Sequence, residues 1–193
     1  YIRDGQMVDR DLESYQTVFA KHPGSVAAPT AGLHFTPNLI RSLQQKGVAT
    51  VAVTLHVGLG TFRPVSADRL SEHHMHHEWG ELSDKAAAML RECRAEQGRI
   101  ISVGTTSVRV LESAARRVNQ PFQAWSGQTD LLIRPPYDFH ATDAIMTNFH
   151  LPKSTLMALV CAFAGRELIL EAYRIAIEQR YRFFSYGDCM LIV

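Results

Sequence analysis

The feature that most constrains this chain is a repeated alternation of short apolar runs with amphipathic helical patterns. The runs Val48–His56, Arg99–Val103 and Ala144–Phe149 are typical of strands that are covered on both faces. Helical patterns begin at Pro37 after the cap Thr36, after Ser83, at Thr105 or Thr106, at Ser154 or Thr155, and at Glu167. Strands that alternate with helices predict βαβ units. We therefore expect an α/β fold with a mainly parallel sheet, for which a barrel-like closure is one option.

Four shorter segments complete this pattern. Val26–Pro29 and Met190–Val193 predict short strands, and Leu131–Ile133 is a further apolar run. Trp125–Gly127 predicts a turn, because glycine commonly ends regular structure. The order of elements is that of one α/β domain over 1–193, with 1–24 as a linker leading into it.

Composition excludes several classes of protein. The chain has 193 residues and a net charge of +1, so contact with a polyanion must rely on local basic groups. Cys93, Cys161 and Cys189 are far apart and form no Cys-x-x-Cys pair, which favours a reducing, cytoplasmic setting. The longest apolar run, Leu156–Ala164, is too short to span a bilayer, so we expect no membrane partner.

Polar and glycine-rich segments follow three of the predicted strands. They are His56–Thr61, Gly104–Ser107 and Asn148–His150. Because ligands bind beyond the carboxyl ends of parallel strands, we expect these segments to meet at one rim. Gly58 and Gly60 would allow a ligand to approach the backbone closely.

The segment Gly104–Arg109 leads from a predicted strand into a helix. Free N–H groups and the helix dipole favour an anionic or oxygen-rich ligand there, and the hydroxyls of Thr105, Thr106 and Ser107 can bind it. Plain helix capping is the alternative, although capping needs one hydroxyl only.

Three histidines, His34, His56 and His150, each end or follow a predicted strand. A neutral imidazole is a suitable base for proton abstraction near pH 7, whereas any single histidine can also be purely structural.

Two further clusters carry chemistry. His73–Glu78 can be read as a metal site if His73 and His77 share a helical face, or as a solvated or RNA-facing cluster. The His-Glu-x-x-His pattern is absent, so we expect no metal. Tyr181–Asp188 is aromatic and basic, so it can stack a base, or else plug the core.

Six long segments, in order, resemble the S-adenosylmethionine:tRNA ribosyltransferase-isomerase (QueA) family of queuosine biosynthesis. They are APTAGLHFT at 28–36, VTLHVGLGTFRPV at 53–65, HHMHHE at 73–78, VGTTSVRVLES at 103–113, TNFHLPKSTL at 147–156 and YRFFSYGDCM at 181–190. The resemblance implies the carboxyl-terminal α/β portion of a longer enzyme, without that family's small inserted β-barrel domain.

The resemblance implies a reaction in which the ribosyl unit of S-adenosylmethionine moves onto 7-aminomethyl-7-deazaguanine at the tRNA wobble position. The ribose is rearranged to give epoxyqueuosine, and methionine and adenine leave. S-adenosylmethionine is then a co-substrate, no other cofactor or metal is expected, and the enzyme is expected to be a monomer.

The family reaction gives each candidate residue an expected role. The catalytic candidates are His56, His150 and His34, of which His56 or His150 is the expected base for the carbon next to the sulfonium. Ribose or carboxylate oxygens are expected at Thr105, Thr106 and Ser107, with Arg109 as a charged partner. The remaining substrate-binding candidates are Gly58, Gly60, Asn148, Phe149, Tyr186 and Asp188, and the tRNA-binding candidates are Arg63 and Arg182.

Two other functions stay open at this point. One is a metal-dependent hydrolase that uses the His73–Glu78 cluster. The other is a non-catalytic tRNA-binding fragment whose partner segments carry all the chemistry.

Overall fold

A computed structural model of the chain describes residues 14–58, 69–117 and 122–193. The helices are α1 (Pro37–Gln45), α2 (Asp84–Ala95), α3 (Thr105–Arg117), α4 (Thr155–Ala164) and α5 (Arg166–Glu178). The strands are β1 (Thr54–His56), β2 (Glu78–Leu82), β3 (Ile101–Val103), β4 (Trp125–Thr129), β5 (Ala144–Asn148) and β6 (Cys189–Ile192). Short 3₁₀ helices lie at Thr30–His34 and Leu70–Glu72. No helix in the described ranges is long and apolar enough to cross a membrane.

The described strands form two three-stranded sheets. The first has the order β1-β2-β4 and is antiparallel throughout. The second has the order β3-β5-β6, in which β3 and β5 are parallel and β6 is antiparallel to β5. The fold is therefore mixed α/β, and the expectation of a mainly parallel sheet is wrong for the described strands. An apolar run predicts burial, but the direction of a strand depends on the partner it pairs with.

Helix α3 lies between the two sheets and packs against strands of both. Val108 belongs to the apolar core formed with β5, α4 and α5. Val110, Leu111 and Ala114 belong to a second core with Leu82 and the buried face of α2. Every residue from 108 to 114 is buried, so this helix has no solvent-facing side over two turns.

Because α3 is covered on all sides, its polar side chains need partners inside the protein. The Glu112 carboxylate accepts hydrogen bonds from the backbone N–H groups of His140 and Ala141, both at 3.0 Å. Ser113 shares a hydrogen bond of 2.6 Å with Thr129 of β4. Burial, together with the nearby Glu112 charge, raises the pKa of Tyr137 far above its usual value, so its hydroxyl stays protonated.

Three predicted helix caps are confirmed, whereas α3 begins at Thr105 itself and α5 begins at Arg166, one residue before the predicted Glu167. Thr36 accepts a hydrogen bond from the Leu39 N–H at 3.1 Å, with Pro37 as the first helical residue. Ser83 and Ser154 cap α2 and α4 in the same way. These predictions succeed because a cap is a local interaction between residues three positions apart.

Several predicted strands differ from the structure. The long run Val48–His56 forms a strand only over its last three residues, and β1 is an edge strand that is half-buried rather than covered on both faces. Val26–Pro29 forms no strand. The predicted turn Trp125–Gly127 lies inside β4, because Gly127 pairs with Gly80 of β2, a strand that the sequence pattern did not indicate.

Gly104 connects β3 to α3 with a backbone φ of +85°, a conformation that L side chains rarely adopt. We expect Gly104→Ala to lower the free energy of unfolding by about 1–2 kcal/mol. Gly58→Ala is the matched control, because no atom of the described residues lies within 4 Å of a Cβ built there. Its effect should stay within about 0.5 kcal/mol. Equal urea midpoints for the two variants would contradict the strain argument.

Candidate functional site

A cavity of about 170 Å³ lies beyond the carboxyl ends of the parallel strands β3 and β5. It is bounded by the 27–31 segment, by Val57 after β1, by the first turn of α3, and by the 147–154 segment. Leu156, Phe184 and Ser185 complete its wall. Thr105 and Asn148 therefore share one cavity, as expected for groups at the ends of neighbouring parallel strands. Their roles as ligands stay predictions.

The first turn of α3 offers hydroxyl groups to this cavity. Thr105 and Thr106 both line it. Ser107 does not, because its hydroxyl donates a hydrogen bond of 2.8 Å to the Val103 carbonyl at the end of β3. The structure thus gives the Ser107 hydroxyl a structural contact, and its role as a ligand contact stays a prediction.

Arg109 brings a buried guanidinium to the cavity wall. Its Nη1 forms an ion pair with Glu78, and its Nε donates a hydrogen bond of 3.4 Å to the Leu131 carbonyl. Its Nη2 is buried and has no hydrogen-bond partner among the described residues. A buried donor without a partner is costly. Nη2 is therefore a strong candidate for a contact with a ligand.

Asn148 is the centre of a hydrogen-bond network on another side of the cavity. Its Oδ1 accepts from the Thr30 hydroxyl at 3.0 Å, and its Nδ2 donates to the Gly187 carbonyl at 3.4 Å. The same Nδ2 lies 3.4 Å from His34 Nε2. Because an amide NH₂ only donates, this contact is a hydrogen bond when His34 Nε2 is the acceptor. His34 thus acts on Asn148 and is not part of the cavity lining.

His150 is the histidine that lines the cavity. Its Nε2 lies 2.9 Å from the Thr147 hydroxyl, and its backbone N–H donates to the Tyr173 hydroxyl at 2.7 Å. Burial lowers the pKa of His150 to about 4, so its ring is neutral at pH 7.

His56 lies outside the cavity, although it was expected within it. Its ring packs against Trp79, with 5.3 Å between ring centroids, and its Nδ1 would lie 2.8 Å from a Cβ built on Gly24. The next residue, Val57, lines the cavity instead. The expectation that His56, Thr105 and Asn148 meet therefore fails for His56, because successive side chains of an extended chain point to opposite sides.

Only part of the carboxyl-terminal loop, Tyr181–Asp188, lies at the cavity. Asp188 accepts a hydrogen bond of 2.7 Å from the Arg182 N–H and forms a 3.5 Å ion pair with the Arg182 side chain. That backbone hydrogen bond and the nearby positive charges lower the pKa of Asp188. Tyr186 packs against Tyr15 at 5.6 Å. None of these residues lines the cavity, whereas Phe184 of the same loop does.

Phe149 lines the cavity and is also part of an aromatic cluster. Its ring lies 5.2 Å from Tyr173 and 5.1 Å from Phe183, measured between centroids. The core-plug interpretation of the aromatic segment therefore applies to Phe183, while Phe149 presents a packed wall to the cavity.

Two predicted site residues, Gly60 and Arg63, lie outside the described residues. Gly58 is described and does not line the cavity; its N–H donates a hydrogen bond of 3.2 Å to the Glu78 carboxylate.

The histidine cluster does not have the geometry expected of a metal site. Residues 73–77 form no helix, so the helical face predicted for His73 and His77 is wrong. Glu78 begins β2 and is bound to Arg109 and Gly58. Within the described ranges, no three His, Cys, Asp or Glu side chains lie together as metal ligands would. The metal-dependent alternative therefore has no geometric support in this part of the chain.

Sequence reasoning missed several residues around the cavity. Thr30, Thr147 and Ser154 line it, and Glu78 supports it. Thr30 lies in a segment that forms a 3₁₀ helix rather than following a strand, so the rule about strand ends did not point to it. The buried polar character of Thr147 and Glu78 was the signal available, but burial was not readable from their neighbours alone.

A mixed α/β chain with a partly polar cavity at the ends of parallel strands, near a helix N-terminus, has the arrangement typical of ligand-binding sites in α/β proteins. The family profile described as "Queuosine biosynthesis protein" matches residues 1–192, so the chain belongs to this family. The chain is also similar to the crystal structure of S-adenosylmethionine tRNA ribosyltransferase from Thermotoga maritima, with 48% identity and a TM-score of 0.71. The match covers 85% of this chain and 51% of the solved one, so this chain spans about half the length of that relative.

We expect the His150 ring to stay neutral down to about pH 5, because burial disfavours its charged form. The unfolded state then binds a proton that the folded state does not, over the range from about pH 6.5 down to about 4. Across this range the free energy of unfolding should fall by up to about 1.4 kcal/mol per pH unit. His150→Gln should lack that component. An NMR titration assigned with this variant checks the prediction, and a midpoint above pH 6 would contradict it.

Proposed function

We propose that this chain carries the S-adenosylmethionine site of a tRNA ribosyltransferase-isomerase that makes epoxyqueuosine. The observation that carries the proposal is the cavity itself. It combines the hydroxyls of Thr105 and Thr106, the Asn148 amide and a guanidinium whose Nη2 has no partner in the described part of the chain. These groups match the ribose hydroxyls and the carboxylate of S-adenosylmethionine. Membership of the queuosine biosynthesis family and the likeness to the Thermotoga maritima enzyme support it.

Different groups in the cavity bind different parts of S-adenosylmethionine. The first turn of α3 takes ribose oxygens, because its N–H groups and hydroxyls donate there. Arg109 takes the methionyl carboxylate through Nη2, since charge-assisted hydrogen bonds are the strong ones. The sulfonium lies against the aromatic faces of Phe149 or Phe184, an attraction of about 0.5–2 kcal/mol.

Between the two expected bases, the geometry supports His150 over His56. His150 lines the cavity and its ring is neutral at pH 7, so its position allows a ring nitrogen to accept a proton from the carbon next to the sulfonium. Its support is this position, because the lowered pKa makes the ring a weaker base than a free imidazole. His34 supports the site through Asn148.

The carboxyl-terminal loop receives the tRNA. Arg182 is exposed beside Asp188, and the lowered pKa of Asp188 keeps its carboxylate charged to meet the aminomethyl cation of the base. Tyr186 is exposed enough to stack a base that has left its helix. Arg63 keeps its predicted phosphate contact. A monomeric state and a cytoplasmic location also stay predictions.

The test of this function is turnover of tRNA bearing 7-aminomethyl-7-deazaguanine with S-adenosylmethionine labelled in its ribose. It should be run on this chain and on a chain that carries an upstream segment. Label transferred to tRNA, with release of adenine and methionine, supports the proposal. Tight tRNA binding without S-adenosylmethionine binding in either form would favour the non-catalytic alternative.

Variants of two neighbouring hydroxyl residues, Thr106 and Ser107, distinguish a contact with the ligand from a contact within the protein. Thr106→Val should weaken S-adenosylmethionine binding by about 1–3 kcal/mol, because a bound oxygen would lose its partner. Ser107→Ala is the matched control: its hydroxyl is bound to the Val103 carbonyl, so affinity should change little. Calorimetry on both variants decides this. Equal affinities for Thr106→Val and the unchanged chain would remove the α3 turn from the site.

A second pair of variants locates the tRNA surface. Arg182→Ala should lower the slope of log affinity against log salt by about one, because one phosphate contact is lost. Arg174→Ala is the control, since Arg174 is equally exposed but lies on α5 between Glu171 and Glu178. Salt-titrated tRNA binding gives both slopes. If the two variants have the same slope, Arg182 does not contact tRNA.

A further inference from the structure

Glu78 is a buried carboxylate to which the proposed function above assigns no role. It is the first residue of β2 and is 2% exposed. Its position in the sequence, after four histidines, first made it a metal-ligand candidate, but its oxygens have other partners. Oε2 forms the ion pair with Arg109 Nη1, and Oε1 accepts from the Gly58 N–H at 3.2 Å.

These contacts fix the orientation of the Arg109 guanidinium. The planar group is held at Nη1 by Glu78 and at Nε by the Leu131 carbonyl. Two fixed nitrogens determine where the third, Nη2, lies, because the guanidinium is rigid. Nη2 is the buried nitrogen without a described partner, on a side chain that lines the cavity.

The same carboxylate joins two segments of the rim. It connects the N-terminal part of α3 to the backbone just after β1, where Val57 lines the cavity. Since β2 lies in the first sheet and the cavity is at the end of the second, Glu78 is the described side chain through which the first sheet holds the cavity's guanidinium.

We propose that Glu78 is a positioning residue, which holds Arg109 so that Nη2 meets the carboxylate of S-adenosylmethionine. This inference rests on the proposed function. It assigns Glu78 no contact with substrate: the residue acts only through Arg109 and the Gly58 backbone. A positioned guanidinium binds a carboxylate more tightly than one that must be ordered on binding.

The ligand itself provides the sharpest test. S-adenosylmethioninamine lacks only the carboxylate of S-adenosylmethionine, so the ratio of the two affinities measures the carboxylate contact. In Glu78→Gln the side chain keeps its size but loses its negative charge. Its amide has one accepting oxygen, so it cannot accept from both Arg109 and the Gly58 N–H as the carboxylate does. We expect this ratio to fall by about 10- to 100-fold, the range for one charge-assisted hydrogen bond. The affinity for S-adenosylmethioninamine should change by less than about threefold.

Further variants separate positioning from a general structural role. Glu81→Gln, on the same strand, should leave the ratio unchanged. Arg109→Lys should lower the ratio, and adding Glu78→Gln to Arg109→Lys should lower it no further, because both act on one contact. Circular dichroism confirms that each variant is folded. Where Glu78→Gln does not fold, Glu78→Asp, which is too short to keep both contacts, takes its place with the same expected loss.

Each outcome has one meaning. An unchanged ratio in Glu78→Gln overturns the positioning role while leaving the proposed function standing. A rise in S-adenosylmethionine affinity also overturns it, because Glu78 would then only neutralise Arg109. If the unchanged protein binds no S-adenosylmethionine and transfers no ribose, with or without an upstream segment, the proposed function fails and this inference fails with it.

Discussion

The ion pair between Arg109 and Glu78 is the interaction on which the candidate site depends. The two side chains are 4% and 0% exposed, so neither charge has water to replace its partner. Removing one member of a buried pair costs about 3–5 kcal/mol, mostly because the remaining charge is left uncompensated. The pair therefore orders β2 and α3 together. The cavity at the start of α3 consequently takes its shape from both sheets, with Val57 after β1 and the ends of β3 and β5 all at its wall.

The same requirement extends along the whole of α3. A helix buried from 108 to 114 cannot place its polar residues in solvent, so Arg109, Glu112 and Ser113 each bind a different surrounding segment. Glu112 fixes the 140–141 backbone before β5, and Ser113 is bound to β4. Against this nearly complete pairing, Nη2 of Arg109 stands out, because it has no hydrogen-bond partner among the described residues. Unsatisfied groups in an otherwise well-paired region commonly indicate a ligand contact.

Sequence reasoning succeeded where structure is set locally and failed where it is set by pairing. The caps Thr36, Ser83 and Ser154 depend on residues three positions away, and all three are observed. Strand β2 was missed because Glu78–Leu82 has a weak apolar pattern. Its place is fixed by cross-strand register, with Trp79 opposite His56 on one side and Gln128 on the other. Strand direction was equally unreadable, because antiparallel neighbours can be distant in sequence.

The candidate site shows the same division. Thr105 and Asn148 were placed together correctly, because β3 and β5 are parallel and their carboxyl ends share an edge. His56 ends a strand of the other sheet, where that rule does not apply, and a shift of one residue puts Val57 at the cavity in its place. His150 is then the histidine at the cavity, and burial keeps it uncharged. Under the proposed function, the positive charge of a sulfonium would meet a neutral imidazole and aromatic faces, while the nearby guanidinium charge is balanced by Glu78. Such a cavity can bind a cationic substrate without strong charge repulsion. Arg109 is the one buried cation that lines it in the described ranges, and Glu78 of β2 neutralises its charge.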